Sequence, residues 1–229
     1  VIVLVITTAL FVVLVSSSPG ILPLLGLAFS IGLGVASLMP LRGRKLLQVP
    51  AATWGMVLAH LGLAVALLGM ASESAFTDEK LVAIAPGETT NLADFQIKLD
   101  GVEPVAGPNW TAMEARISAT SASGEPIVLT PQSRHFWAPV QQTTESALLT
   151  RLDGQLYAVI GAPSGDGRWQ LRLWWKPLVT LIWLGGIMIA SGGVLSVLGH
   201  LSNDIRRRRT KIRASQERDD LAKLQVGMK

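Results

Sequence analysis

The sequence predicts a membrane protein: an α-helical transmembrane bundle with one inserted periplasmic all-β domain, a barrel or a sandwich. Three observations predict it. The 229-residue chain is 49% hydrophobic with a mean hydropathy of +0.43, which places it among membrane proteins rather than soluble domains. Its apolar residues gather into four segments, and residues 72–176, between the third and the fourth, are polar, alternating and rich in turn signals. Its clusters of basic residues, at 42–45 and in the C-terminal tail, flank apolar segments where one side of a membrane would be.

Residues 1–71 carry the first three helices, over about 1–15, 21–39 and 51–71. The first is short, and Val1 already lies within it, with neither an initiator Met nor the charged n-region of a signal peptide before it. The chain therefore reads as a piece of a longer polypeptide, whose other part would hold half of any site. A Ser/Pro/Gly turn at 16–20 opens the second helix. The third, AATWGMVLAHLGLAVALLGMA, contains no Asp, Glu, Lys or Arg and reaches the ~20 residues that a span needs.

Arg42, Arg44 and Lys45 between the second and third helices, and the basic tail 202–229 with its run RRRR at 206–209, belong on the cytoplasmic side. Residues 72–176 then lie in a bacterial periplasm. The fourth helix covers 177–201. Trp169, Trp174, Trp175 and Trp183 bracket its start, where amphipathic rings suit the membrane interface. A basic run directly after a span reads as an anchor facing membrane lipid, not as a nucleic-acid site.

Within 72–176, five segments read as strands: 95–99 (FQIKL), 112–119 (AMEARISA), 126–129, 155–160 (QLYAVI) and 169–175 (WQLRLWW). Turn signals GPNW, SGEP, LDG and PSGDGR separate them.

The helices also carry rows of small residues. Gly55, Ala59, Gly62, Ala66 and Gly69 line one stripe of the third; Gly26, Ser30 and Gly34 line the second; Gly185, Gly192 and Gly199 line the fourth. Such rows let helix backbones approach inside a bilayer. On the third helix the stripe points roughly 140° away from His60, whose own face carries Thr53, Met56, Leu63, Ala64 and Leu67. Protein or cofactor is therefore expected on both faces.

His60 is the candidate functional residue. It is an ionisable side chain near the middle of a span, which is costly and marks a functional site by default. Neutral imidazole is the usual nitrogen ligand of haem iron. Two other readings stand beside an axial ligand: a proton-transfer step, and a histidine hydrogen-bonded to a neighbouring helix. A second axial ligand is not in evidence, since His135 lies in the external domain and His200 at the cytoplasmic end of the fourth helix. His200 reads as a cation at a helix C-terminus and His135 as a strand residue. The absence of cysteine excludes disulfides, thiolate metal sites and thiol redox chemistry within this chain. No metal-spaced cluster, nucleophile elbow or nucleotide loop is present, so no complete active site is expected and no catalytic residue is assigned.

Several patches occur in the order of a known family: WGMVLAHLGLAV at 54–65, GPNW at 107–110, LTPQSRHFWAPVQQTTES at 129–146, QLYAVIG at 155–161 and WQLRLWWKPLVTLIWLGGIMIASGG at 169–193. Over roughly residues 50–200 the chain resembles the C-terminal third of CcmF, the membrane subunit of the bacterial cytochrome c maturation haem lyase; a nitrite-reductase-associated paralogue is similar. The resemblance implies covalent attachment of haem to apocytochrome c, with CcmH-type and CcmE-type haem-delivery partners. It implies a Trp-rich platform flanked by two external histidines, and a haem b held by two membrane histidines. His60 matches the second of those membrane histidines, which would make it an axial ligand of the haem iron; its mid-bilayer depth suggests a membrane quinol as the electron donor. The platform and the other three histidines have no match here and would belong to the rest of CcmF. The family's Pro-Glu-x-Arg-x-Tyr stands here as PQSRHF and its Asp-Leu-Tyr as Gln155-Leu156-Tyr157, which weakens any catalytic part for external acidic groups. Arg134 and the TTE at 143–145 do match. A non-catalytic scaffold whose β domain docks partner proteins is the alternative function.

Overall fold

A computed structural model describes residues 20–121 and 124–227, the last of these, 206–227, as helical backbone only. The helix expected over 1–15 lies outside the described residues. Among the described residues, three helices are long and apolar enough to cross a membrane: α1 (Ile21–Leu38), extended by a 3-10 turn to Leu41; α2 (Ala51–Phe76); and α3 (Thr180–Gly227), whose apolar part is Thr180–Ile205. The chain forms two compact units. One contains Leu68–Ile182 together with the chain up to Leu27, and the other contains Ala28–Leu67 with Trp183–Lys229.

In the second unit, glycine rows bring α2 and α3 together. A Cβ at Gly62 would stand 2.7 Å from the Gly185 carbonyl oxygen and 2.8 Å from the Ile189 nitrogen. A Cβ at Gly192 would meet the Gly55 carbonyl oxygen at 2.6 Å. The backbones touch because neither helix presents a side chain there. On another side of α2, Ala64 is buried and lies 3.7 Å from the Cβ position of Gly34 on α1.

The first unit is mainly a β-sandwich. Its strands are β1 (Asp78–Ile84), β2 (Thr89–Leu92), β3 (Phe95–Ala106), β4 (Trp110–Ser121), β5 (Ile127–Leu129), β6 (Gln132–Trp137), β7 (Val140–Glu145), β8 (Ala147–Thr150), β9 (Gly154–Pro163) and β10 (Trp169–Pro177). One antiparallel sheet runs β1-β10-β9-β8; the other runs β2-β3-β4-β6-β7, with β5 on β4. The core lies between them, with Ile97, Leu99 and Ile117 facing Leu156, Ile160, Leu171 and Leu173. Alternation explains this division: β9 buries Leu156, Ala158 and Ile160 and turns Gln155, Tyr157 and Val159 outward.

The strands read from apolar alternation are present, four of them longer than expected and β5, at Ile127–Leu129, one residue shorter. β1, β2, β6, β7 and β8 were not foreseen. β6 and β7 (QSRHFW, VQQTTE) are polar and bury no side chain, so they show no core periodicity; their ladder forms by pairing with β4. The tryptophan cluster spans the strand read at 169–175 and the helix after it. Trp169, Trp174 and Trp175 belong to β10, and Trp175 packs on Phe95 with ring centroids 5.3 Å apart, so it helps fill the sandwich core. Trp183 alone stands on the helix, exposed.

The helix expected to end at 201 runs through the basic tail to Gly227, because residues 202–226 contain no Gly or Pro and many strong helix formers. His200 is therefore mid-helix and not at a C-terminus. Likewise α2 continues past 71 to Phe76, where the Thr77 hydroxyl and N–H both donate to the Glu73 carbonyl, at 2.6 and 3.1 Å.

Candidate functional site

α2 has three faces. One meets α3, one meets α1, and the third carries Met56, His60, Leu63 and Met70, all exposed. Ala64, expected on the His60 face, instead lies buried beneath α1. Protein from this chain thus covers two faces and, among the described residues, leaves the histidine face open.

The His60 ring is anchored through one of its nitrogens. Its Nδ1 lies 2.8 Å from the Met56 carbonyl oxygen, one turn earlier on the same helix. A carbonyl only accepts, so Nδ1 carries the proton and donates it. In the neutral ring, the lone pair is then on Nε2. Orientation of one ring nitrogen by a backbone carbonyl is how ligating histidines are commonly held. Beside the ring is a shallow cavity of about 200 Å³, lined by Met56 and Val57 of α2 and by Leu33, Ala36, Ser37 and Pro40 from α1 and its 3-10 turn. The wall is apolar apart from Ser37, whose hydroxyl is engaged by the Leu33 carbonyl at 2.6 Å. The cleft offers one ring nitrogen and one apolar wall, and it is too open to enclose a ligand by itself. The α1 contribution was not legible in the sequence, since nothing local in Leu33–Pro40 says which face meets α2.

The other histidines are elsewhere. His135 is exposed on β6, opposite Thr111 of β4 and Gln142 of β7, and lines a separate groove of the sandwich. His200 is exposed on α3. Neither belongs to the His60 site.

The external motif residues form a structural cluster. The Trp110 ring lies so close over Gly107 that no Cβ fits there, and the Arg134 guanidinium stands 4.5 Å above that ring. Arg134 also donates to Gln132 at 2.7 Å and pairs with Glu145, while Gln132 donates to Glu114. GPNW, PQSRHF and TTE thus knit β4, β6 and β7 together.

Two carboxylates of the sandwich titrate low. Glu79 is held down chiefly by the Arg172 guanidinium, which donates to it at 2.6 Å. Glu88 is held down chiefly by the Ala85 N–H, at 3.0 Å, with the fork of Arg168 adding to it at 3.0 and 2.7 Å.

Residues 75–177 match the family model described as the CcmF C-terminal beta-sandwich. Among curated relatives, the cytochrome c-type biogenesis protein CycK of Bradyrhizobium diazoefficiens is 40% identical over 150 residues, 65% of this chain and 23% of the relative. CcmF of Escherichia coli K12 is 36% identical over 142 residues, 62% of this chain and 22% of the relative. The biogenesis protein NrfE of Haemophilus influenzae is 32% identical over 165 residues, 72% of this chain and 25% of the relative. The chain thus spans about a quarter of the length of these relatives. A solved structure named cytochrome c heme lyase CcmF shares the fold, with a TM-score of 0.53 and 18% identity over 76% of this chain and 34% of that one. The ordered motifs, the sandwich and the relatives agree: over residues 75–177 the chain carries the C-terminal beta-sandwich of the CcmF family.

Proposed function

We propose that this chain is part of the cytochrome c maturation haem lyase and supplies, through His60 Nε2, one axial ligand to a haem b within the membrane. The observation that carries this reading is the Nδ1–H bond to the Met56 carbonyl, which leaves Nε2 as the coordinating atom on the open face of α2. Such a haem, when bound, would supply one-electron cycling that keeps the delivered haem ferrous during its attachment to apocytochrome c. The chain's own part is to hold the ring, fix its tautomer and line one side of the macrocycle with Leu33, Met56 and Val57 away from water. The second axial ligand and the Trp-rich platform come from the rest of CcmF. CcmH-type and CcmE-type proteins deliver the substrates, and a membrane quinol donates the electron. The basic residues near 42–45 and 206–213 support a cytoplasmic tail and a periplasmic sandwich at a bacterial inner membrane.

The test is the reduced haem spectrum of the purified complex. His60→Ala is expected to remove the b-type α-band, and His60→Met to shift it. A spectrum unchanged in His60→Ala removes the assignment. The scaffold alternative, with His60 bridging two helices, predicts a colourless preparation that still captures partners. The ring's bond to its own helix favours the ligand reading over that one.

A further inference from the structure

The β8–β9 turn is fastened to the start of a membrane span. The Thr180 hydroxyl donates to the Leu152 carbonyl at 3.0 Å, and the Leu178 N–H donates to the Asp153 carbonyl at 2.9 Å. The turn is closed by the Arg151 N–H donating to the Gly154 carbonyl at 2.8 Å. Nearby, Lys176 at the end of β10 pairs with Glu73 in the last turns of α2 at 2.7 Å. These bonds put the sandwich base and two helix ends at one level.

Thr180–Ile205 has 26 residues. At 1.5 Å per residue it is ~39 Å long, against ~30 Å of hydrocarbon, so its first turn falls in the headgroup layer. At that depth the tip of the turn presents Leu152, 95% exposed. Its two charged neighbours are drawn aside: Arg151 and Asp153 pair with each other at 3.1 Å, and the Arg151 guanidinium stands over the Phe95 ring.

We propose that the Arg151–Asp153 turn is a lipid contact. Leu152 enters the boundary between headgroups and acyl chains of the leaflet in which α3 begins, while Arg151 and Asp153 remain among the headgroups. A lone leucine is far smaller than the ~800 Å² per partner of a specific protein interface, whereas one apolar side chain at a fixed depth suits a bilayer. The contact holds the sandwich at constant height above the membrane. This inference rests on Thr180–Ile205 being a span, and not on the role of His60.

The chain contains no cysteine, so single cysteines give unique spin-label sites in it. Leu152→Cys, Ile187→Cys within the span and Ser164→Cys at the opposite end of β9 would each carry a nitroxide in the full complex. The complex would be reconstituted into phosphatidylglycerol/phosphatidylethanolamine vesicles. Accessibility to oxygen relative to a water-soluble nickel chelate is expected to be several-fold higher at 152 and 187 than at 164. Residue 152 behaving like 164 while 187 stays lipidic overturns the proposal. An aqueous signal at 187 as well would instead refute the span on which it rests.

Discussion

His60 and Glu88 show how a single hydrogen bond sets the state of a side chain. The Met56 carbonyl decides which nitrogen of a neutral His60 ring keeps its lone pair, and the sequence could not show that choice, because every helical histidine has a carbonyl one turn before it. Glu88 accepts the Ala85 N–H and the Arg168 fork, so its folded pKa lies below the ordinary carboxylate value of 4.5. A lowered pKa stabilises the fold above that value, and the contribution is lost as pH falls through the folded pKa. Glu88→Gln is therefore expected to lower the thermal midpoint at neutral pH, with the gap to wild type closing below about pH 4. Midpoints recorded at several pH values check this; a gap that persists in acid would mean that shape, not charge, is what matters at Glu88.

Among the elements, the helices and the buried strands were legible from their patterns. The small-residue rows of α2 and α3 reappear as the contact between them, because inside a bilayer close approach needs missing side chains. Gly62→Leu should force the backbones of α2 and α3 apart, since even its Cβ would sit 2.7 Å from the Gly185 carbonyl oxygen. Overpacking of this kind costs about 1–3 kcal/mol or more, seen as a lower thermal midpoint in detergent. Gly186→Ala, one residue from the contact with nothing within 4 Å of its Cβ position, should be close to neutral. Equal effects of the two substitutions would argue against the glycine contact. By contrast, β6 and β7 escaped sequence reading because Arg134, Gln132 and Glu145 pair with one another and with Trp110 rather than filling a core. Polar ladders leave no apolar period to read.

At the scale of the whole molecule, one core serves both sheets. Leu173, wholly buried, packs in the same cluster as Ile97 and Ile117. Leu173→Ala should cost about 2–5 kcal/mol, and both sheets should unfold in a single transition. Near-ultraviolet dichroism of the β10 tryptophans, compared with protease cleavage in the β6–β7 hairpin, would check that; separated transitions would mean the sheets are independent.

Composition and periodicity alone determined the long apolar helices over 21–39 and 51–71 and the one beginning near 180, the existence of an inserted β domain and the candidacy of His60, because hydropathy, alternation and a lone ionisable residue are local properties of the chain. Only the tertiary structure decided that the domain is a sandwich, that Trp175 packs on Phe95 in its core, and which face of α2 remains open beside His60. Those outcomes depend on which distant segment covers which face, and that is settled by packing and by competition for hydrogen-bond partners across the whole chain.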